Sequence, residues 1–281
     1  MAPMTTTPPR TLTIAGSDSG GCAGLQQDLR TFFACGVHGL TAVTAVTVQN
    51  SLGVTGVHTV PPEVVAAQVE AVATDIGVQA AKTGMLATAE IIEAVAGACD
   101  RVHIGRGRTP FVVDPVAASM HGEPLLHAAA MDSYRTLLFP RATLVTPNLD
   151  EVRLFTGLDV TTRAQQRDAA RALHDLGPEW VLVKGGHLRG DPECLDLLYD
   201  GTDFHEFVGP RFATPHVHGS GDTLASTTTA ALAKGHDVVS AVAAAKDFIV
   251  ESVRAAYPVG AGVGPVSPLW RLPDAATFLT P

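Results

Sequence analysis

Thr11-Leu12-Thr13-Ile14-Ala15 runs into Gly16-Ser17-Asp18-Ser19-Gly20-Gly21-Cys22-Ala23-Gly24 and then into Leu25 to Ala34, which stops near Gly36. The first segment reads as a buried strand, the second as a turn that only a glycine-rich chain makes easily, and the third as a helix. Strand, glycine loop and returning helix form the first unit of an α/β sheet.

The same alternation continues downstream. Leu40 to Val48, Phe111 to Val113, Ala142 to Val145 and Trp180 to Val183 are further buried strands, each rich in Val or Leu and followed by a polar or glycine-bearing turn. Pro62 to Val72, Ala89 to Ala96, Leu125 to Leu138, Thr162 to Leu176 and Asp237 to Tyr257 read as helices, several opening after Pro, Asp or Thr. Between Cys194 and Phe207 the rhythm breaks, because two apolar runs flank Asp200-Gly201, a hairpin signal. The expectation is a three-layer α/β/α fold, with a mostly parallel central sheet, helices on both faces and a late antiparallel hairpin. No linker interrupts the series, so residues 11–281 are expected to form a single domain behind a flexible tail at residues 1–10.

Composition excludes several classes of function. The chain of 281 residues is 46% hydrophobic, enough for a sizeable core, and carries a formal charge of -9. That charge argues against a nucleic-acid partner or an anionic membrane surface, so any phosphate site must be built locally. Cys22, Cys35, Cys99 and Cys194 are scattered and make no C-x-x-C pair, which fits a reducing cytoplasm without disulfides. No apolar run reaches the roughly 20 residues of a membrane span, and Met1 to Arg10 lacks an apolar signal core.

In open parallel sheets ligands bind beyond the carboxyl ends of strands, and the chemistry-bearing motifs fall there. His218-Gly219-Ser220-Gly221-Asp222-Thr223 leads from a polar loop into a helical pattern. Its glycines let backbone N–H groups converge and the helix adds the positive end of its dipole, so the loop can hold a developing anion beside the carboxylate of Asp222. The competing reading is an ordinary helix cap. The loop from Gly16 to Gly24 lacks the Gly-Lys-Ser/Thr ending of a Walker A sequence and misses the dinucleotide spacing, so it is assigned to the acceptor substrate.

Gln49 ends the second strand with an amide suited to a planar heterocycle, against the alternative of a solvated amide. Asp114, Asn148 and Glu151 follow the next strands; oxygen ligands of this kind suit Mg²⁺, although Asn148 to Glu151 also reads as a capped helix start. Lys184-Gly185-Gly186 offers a cation for phosphate and close backbone approach, unless the lysine is simply solvated. Lys82-Thr83-Gly84-Met85 is a similar but weaker lysine-glycine pattern, in which Met85 either packs on a substrate ring or fills the core. His121, His187 and His218 lack the spacing of a zinc site.

Taken in order, Ala15 to Gly21, Thr44 to Asn50, Val113 to Val116, Thr146-Pro147-Asn148, Val183 to His187 and His218 to Thr223 resemble the bacterial hydroxymethylpyrimidine/phosphomethylpyrimidine kinases, with the likeness spanning about residues 11 to 270 and including Gly262 to Val266. The resemblance implies a ribokinase-like fold, ATP near the C-terminal glycine loop, a small acceptor at the other end of the cleft, a homodimer and a place in thiamine biosynthesis. It further implies a base and anion hole at Asp222, Gly219, Ser220 and Gly221, acceptor contacts at Gly16, Asp28, Gln49 and Met85, ATP contacts at Asn148, Lys184 and Gly186, and Mg²⁺ near Asp114 and Glu151. One departure bears on substrate: the usual family pattern is His-Gly-Thr-Gly-Cys, whereas this chain has Ser220 and Asp222. Aspartate is the base at that place in the wider ribokinase-like group, pyridoxal kinases included, so pyridoxal is the alternative acceptor and a pyrimidine-binding sensor without turnover the second alternative.

Overall fold

The computed structural model describes residues 7–117, 128–186, 188 and 193–272. The first six residues of the expected tail, the start of the helix expected at Leu125, and His121 and His187 lie outside the described residues.

The opening stretch folds as strand β1 (Arg10–Ser17), the glycine loop and helix α1 (Gly24–Ala34). Strand β2 (His38–Asn50) lies parallel to β1, and β3 (Gly53–Thr59) turns back antiparallel on its outer edge. Helix α2 (Pro62–Asp75), with proline in its first turn where no N–H is required, then carries the chain across to β4 (Ala80–Thr83) on the other side of β1. After α3 (Ala89–Arg101) come β5 (Phe111–Val113), α4 (Ala128–Ser133) with a wider π turn over Tyr134–Leu138, and the two-residue β6 (Leu144–Val145). Helices α5 (Leu149–Thr156) and α6 (Arg163–His174) lead to β7 (Trp180–Val183), and the hairpin of β8 (Glu193–Tyr199) and β9 (Phe204–Pro210) closes the sheet. Helices α7 (Ser220–Ala233) and α8 (Val238–Arg254) follow.

The nine strands form one sheet in the order β3-β2-β1-β4-β5-β6-β7-β8-β9. Its six central strands, β2 through β7 in that order, are mutually parallel, and antiparallel strands stand at both margins. Burial on both faces explains the continuous apolar runs. Phe111, Val113, Val145, Val181 and Val183 pack with α2, α3, α5 and α6, whereas their neighbours Val112, Leu144 and Leu182 pack with α7 and α8. A third cluster of Phe32, Cys35, Val37, Ala230 and Phe248 ties α1 to α7 and α8.

The expected fold class is therefore the observed one, with specific differences in its elements. β3 and β4 were not among the expected strands, and Ala142 and Thr143 precede a β6 that pairs only through Leu144 and Val145. The Asn148 to Glu151 stretch does start a helix. Between β1 and β4 the order of connection reverses, and that switch point opens at the carboxyl ends of the strands.

Candidate active site

Helix α7 begins at the switch point. Gly219 takes φ +73, and a Cβ there would run into the carbonyl oxygen of Cys22 and lie 2.9 Å from Gln27 Cγ, so only glycine lets the loop before α7 pack against the β1–α1 loop. The contact is locked by Gln27 Nε2 donating to Thr223 Oγ1 at 2.8 Å, while Thr223 Oγ1 donates to Gly219 O at 2.8 Å. Helix geometry leaves Gly221 and Asp222 without intrahelical acceptors for their N–H groups, and the helix dipole reinforces that positive end.

Asp222, in this first turn, has a side chain 16% exposed, with Oδ1 3.7 Å from the ammonium of Lys82. Lys82 comes from the middle of β4 and is fully buried. Its nitrogen also donates to Asp28 Oδ1 at 2.8 Å. Asp28 is equally buried, and its oxygens accept from Ser226 Oγ and Thr13 Oγ1, both at 2.6 Å. Burial pushes the Asp28 carboxyl up to about 6, opposed by Lys82 and assisted by the charge of Asp222. Burial works against the Lys82 ammonium too, but the carboxylates of Asp28, Asp222 and Asp114 outweigh it and hold that ammonium above the usual lysine range. The oxygens of Asp28, expected at the acceptor, serve Lys82, Thr13 and Ser226 inside the fold.

A cavity of about 290 Å³ lies beside the loop, lined by Asn148, Lys184, Gly186, Ser220 and Gly221 and walled by Leu224, Ile249 and Val253. Three of these, Asn148, Lys184 and Gly186, are the residues expected to face ATP. Lys184 Nζ donates to Asp114 Oδ1 at 2.9 Å, and Thr146 Oγ1 donates to the same oxygen at 2.8 Å. The other oxygen, Oδ2, faces the glycine loop: a Cβ on Gly221 would lie 3.6 Å from it and 3.3 Å from Lys184 Nζ. Asn148 caps α5 through a reciprocal box, its Oδ1 accepting from Glu151 N at 2.9 Å and its N–H donating to Glu151 Oε2 at 2.8 Å. Burial raises the Glu151 carboxyl to about 7, with Lys184 opposing and Asp114 adding to the rise. The cap and the cavity are one structure.

The residues expected at the acceptor make separate contacts, Gly16 with Met85 and Gln49 with His218. A Cβ on Gly16 would lie 2.5 Å from Met85 Cε, so the glycine makes room for that side chain. Asp18 Oδ2 accepts the backbone N–H groups of Cys22 and Ala23 at 2.8 and 2.9 Å, and its Oδ1 accepts that of Gly20 at 2.7 Å, which fixes the curve of the loop. Gln49 Nε2 lies 3.1 Å from His218 Nε2, and Thr47 Oγ1 donates to Gln49 Oε1 at 3.2 Å. Gln49 is therefore linked to the residue just before the anion-binding turn.

Gly16 lies against Met85, Gln49 lies against His218, and Asn148, Lys184 and Gly186 share one cavity with Ser220 and Gly221. Asp18 and Thr146, for which the sequence drew no role, carry the arrangement as well, and Lys82, read from the sequence as a weaker counterpart of the Lys184 phosphate lysine, is instead paired with Asp28 and Asp222. That pairing left one trace, a charge within the apolar Ala80-Ala81-Lys82-Thr83 strand.

A three-layer sheet with a helix N-terminus and a carboxylate at its switch point defines a ribokinase-like small-molecule kinase. The family model described as phosphomethylpyrimidine kinase matches residues 18–267. The hydroxymethylpyrimidine/phosphomethylpyrimidine kinase of Mycobacterium leprae is 58% identical over 96% of this chain and 97% of its own. Among solved structures, the ADP complex of Bacillus subtilis pyridoxal kinase superposes with a TM-score of 0.87 at 35% identity, over 95% of this chain and all of that one. Phosphomethylpyrimidine kinase from Clostridium difficile superposes at 0.76 and 36% identity, over 87% of this chain and 99% of that one. The chain belongs to the phosphomethylpyrimidine kinase family.

Proposed function

We propose that this protein phosphorylates 4-amino-5-hydroxymethyl-2-methylpyrimidine with ATP, and then phosphorylates the monophosphate to the pyrophosphate, in thiamine biosynthesis. The observation that carries the reading is Asp222 in the first turn of α7, between a cavity lined by Lys184, Ser220 and Gly221 and an acceptor side formed by Gly16, Gln49 and Met85.

In the first step Asp222 takes the proton of the hydroxymethyl group as its oxygen bonds to the γ-phosphorus, the bond to the β–γ bridging oxygen breaks, and ADP leaves. The N–H groups of Gly221 and Asp222 and the Lys184 ammonium stabilise the charge that moves with the phosphoryl group. In the second step the attacking group is a phosphate oxygen already ionised near neutral pH, so the demand on Asp222 falls and the demand on the positive end of α7 rises. Gln49 reads the aminopyrimidine and Met85 packs on its ring.

The donor set suits Mg²⁺. Asp114 keeps Oδ2 toward the glycine loop, with the Glu151 carboxylate nearby, and Mg²⁺ is commonly held by one or two carboxylates, waters and substrate phosphates. Asp114 and Glu151 would hold the ion, which would neutralise phosphate charge. The protein is further read as a cytoplasmic homodimer; the exposed Val46, Val48, Leu52 and Val57 around edge strand β3 support self-association, which light scattering tests.

An ADP-release assay with hydroxymethylpyrimidine, its monophosphate and pyridoxal supplied separately tests the function. Turnover of both pyrimidines supports it. Turnover of pyridoxal alone replaces it with the vitamin kinase to which the fold is also similar, and binding of pyrimidine with no ADP release replaces it with a sensor.

A further inference from the structure

The cluster around Asp222 contains more charge than the phosphoryl-transfer scheme uses. Four carboxylates, Asp28, Asp114, Glu151 and Asp222, surround two ammonium groups, Lys82 and Lys184. Lys184 lines the cavity beside the glycine loop, whereas Lys82 is fully buried within β4 and does not line it. An isolated cation buried to this degree is costly unless it is paired and hydrogen-bonded. One partner, Asp28, already satisfies that need at 2.8 Å and is itself fixed by Thr13 and Ser226. The second partner, Asp222, lies farther away at 3.7 Å and on the solvent side of Lys82. The fold therefore anchors an ammonium on one buried carboxylate from α1 and presents it to another at the head of α7.

We propose that Lys82, anchored by Asp28, is a positioning residue that holds the Asp222 carboxylate aimed at the acceptor hydroxyl. This rests on the reading of Asp222 as the base. Held at 2.8 Å by Asp28 and 3.7 Å from Asp222 Oδ1, the Lys82 ammonium is a fixed point toward which that carboxylate oxygen is drawn. The ammonium does not touch substrate and gives up no proton in the reaction.

The role separates Lys82 from a purely structural ion pair, since only the hydroxyl-attacking step needs a base. The test uses full-length protein in three forms: Asp222→Asn, the charge-neutral pair Asp28→Asn with Lys82→Met, and the triple variant. The pair is chosen because Lys82→Met alone strands a buried carboxylate; thermal melting and ATP binding verify that each form is folded. For the pair, the expected result is a fall of about tenfold or more in kcat with hydroxymethylpyrimidine, because the ammonium 3.7 Å from Asp222 Oδ1 no longer fixes the direction of that carboxylate and a small misplacement of a reacting group is costly. KM values and turnover of the monophosphate should change by less than about threefold, and the triple variant should be no slower than Asp222→Asn alone, because residues acting as a unit are not additive.

Equal losses in both half-reactions, an unchanged first step, or a triple variant that loses the product of the two separate effects would each overturn the proposal. A pair that fails to fold would also overturn it in this form, by showing that the ion pair serves the fold. If Asp222→Asn itself leaves the first step intact, the reading of Asp222 as the base fails instead, so the two failures are distinguishable.

Discussion

At the scale of single residues, the proposed chemistry rests on Asp222 and Gln49. Asp222→Asn keeps the shape of the side chain and removes the proton acceptor, so kcat for hydroxymethylpyrimidine should fall by about 10²–10⁴-fold, with a smaller loss for the monophosphate. Steady-state kinetics on the two substrates check this, and small equal losses would remove Asp222 from the role of base. Gln49→Ala removes an amide held by Thr47 and His218, so it should raise KM for the pyrimidine with little change in KM for ATP. Both residues were legible in the sequence because each follows a strand or glycine turn that announces the end of the sheet. The pairing of Lys82 with Asp28 was not, since it depends on a side chain from a distant segment. Asp28 was assigned to substrate by resemblance, and only the packing of α1 and α7 shows its oxygens occupied by Thr13, Ser226 and Lys82.

At the scale of elements, the approach of two loops decides whether α7 can present its N-terminus. Gly219 and Gly235 both take left-handed backbone, with φ of +73 and +88, but a Cβ at Gly219 meets the Cys22 backbone whereas one at Gly235 meets nothing within 4 Å. Gly219→Ala and Gly235→Ala should both lose about 1–2 kcal/mol of stability for the left-handed conformation, and Gly219→Ala should lose more, together with most activity. Paired melting curves and ADP-release rates check the contrast; equal activity in the two variants would show that the loop packing is dispensable. The same scale explains which elements the sequence concealed. β3 contains two glycines and has no buried residue, so it lacks the apolar alternation of a strand, and β4 is Ala-Ala-Lys-Thr, four residues without a branched aliphatic side chain. Both are strands because their neighbours in the sheet offer backbone partners. α5 was an alternative reading of Asn148 to Glu151, and the capping box realises it while leaving Asn148 on the cavity wall.

At the scale of the whole molecule, the parallel order was legible because strands buried on both faces leave long apolar runs, while the site's electrostatics arise only when six segments meet. Those electrostatics make the stability of the empty enzyme depend on pH. Burial, offset by Lys184 and increased by Asp114, raises the Glu151 carboxyl from 4.5 to about 7 in the folded protein. Between these values the folded chain binds a proton at Glu151 that the unfolded chain releases, so the contribution is fully present below about pH 4.5 and is lost as pH rises through 7. Lys82 and Lys184, both held above the usual lysine range, remain protonated in folded and unfolded chains alike across this window and add no slope to it. In chelator and without nucleotide, the wild-type protein should therefore lose stability at Glu151 from pH 5 to pH 8, by up to about 1.4 kcal/mol per pH unit. Glu151→Gln keeps a side-chain oxygen for the Asn148 N–H and cannot ionise, so its denaturant midpoints should decline less over the same range. Parallel wild-type and variant curves would show that Glu151 is already ionised in the empty site. A variant that gains stability at pH 8 relative to wild type would show that its charge is retained at a cost to the fold, as expected of a carboxylate kept for a phosphate-bound cation.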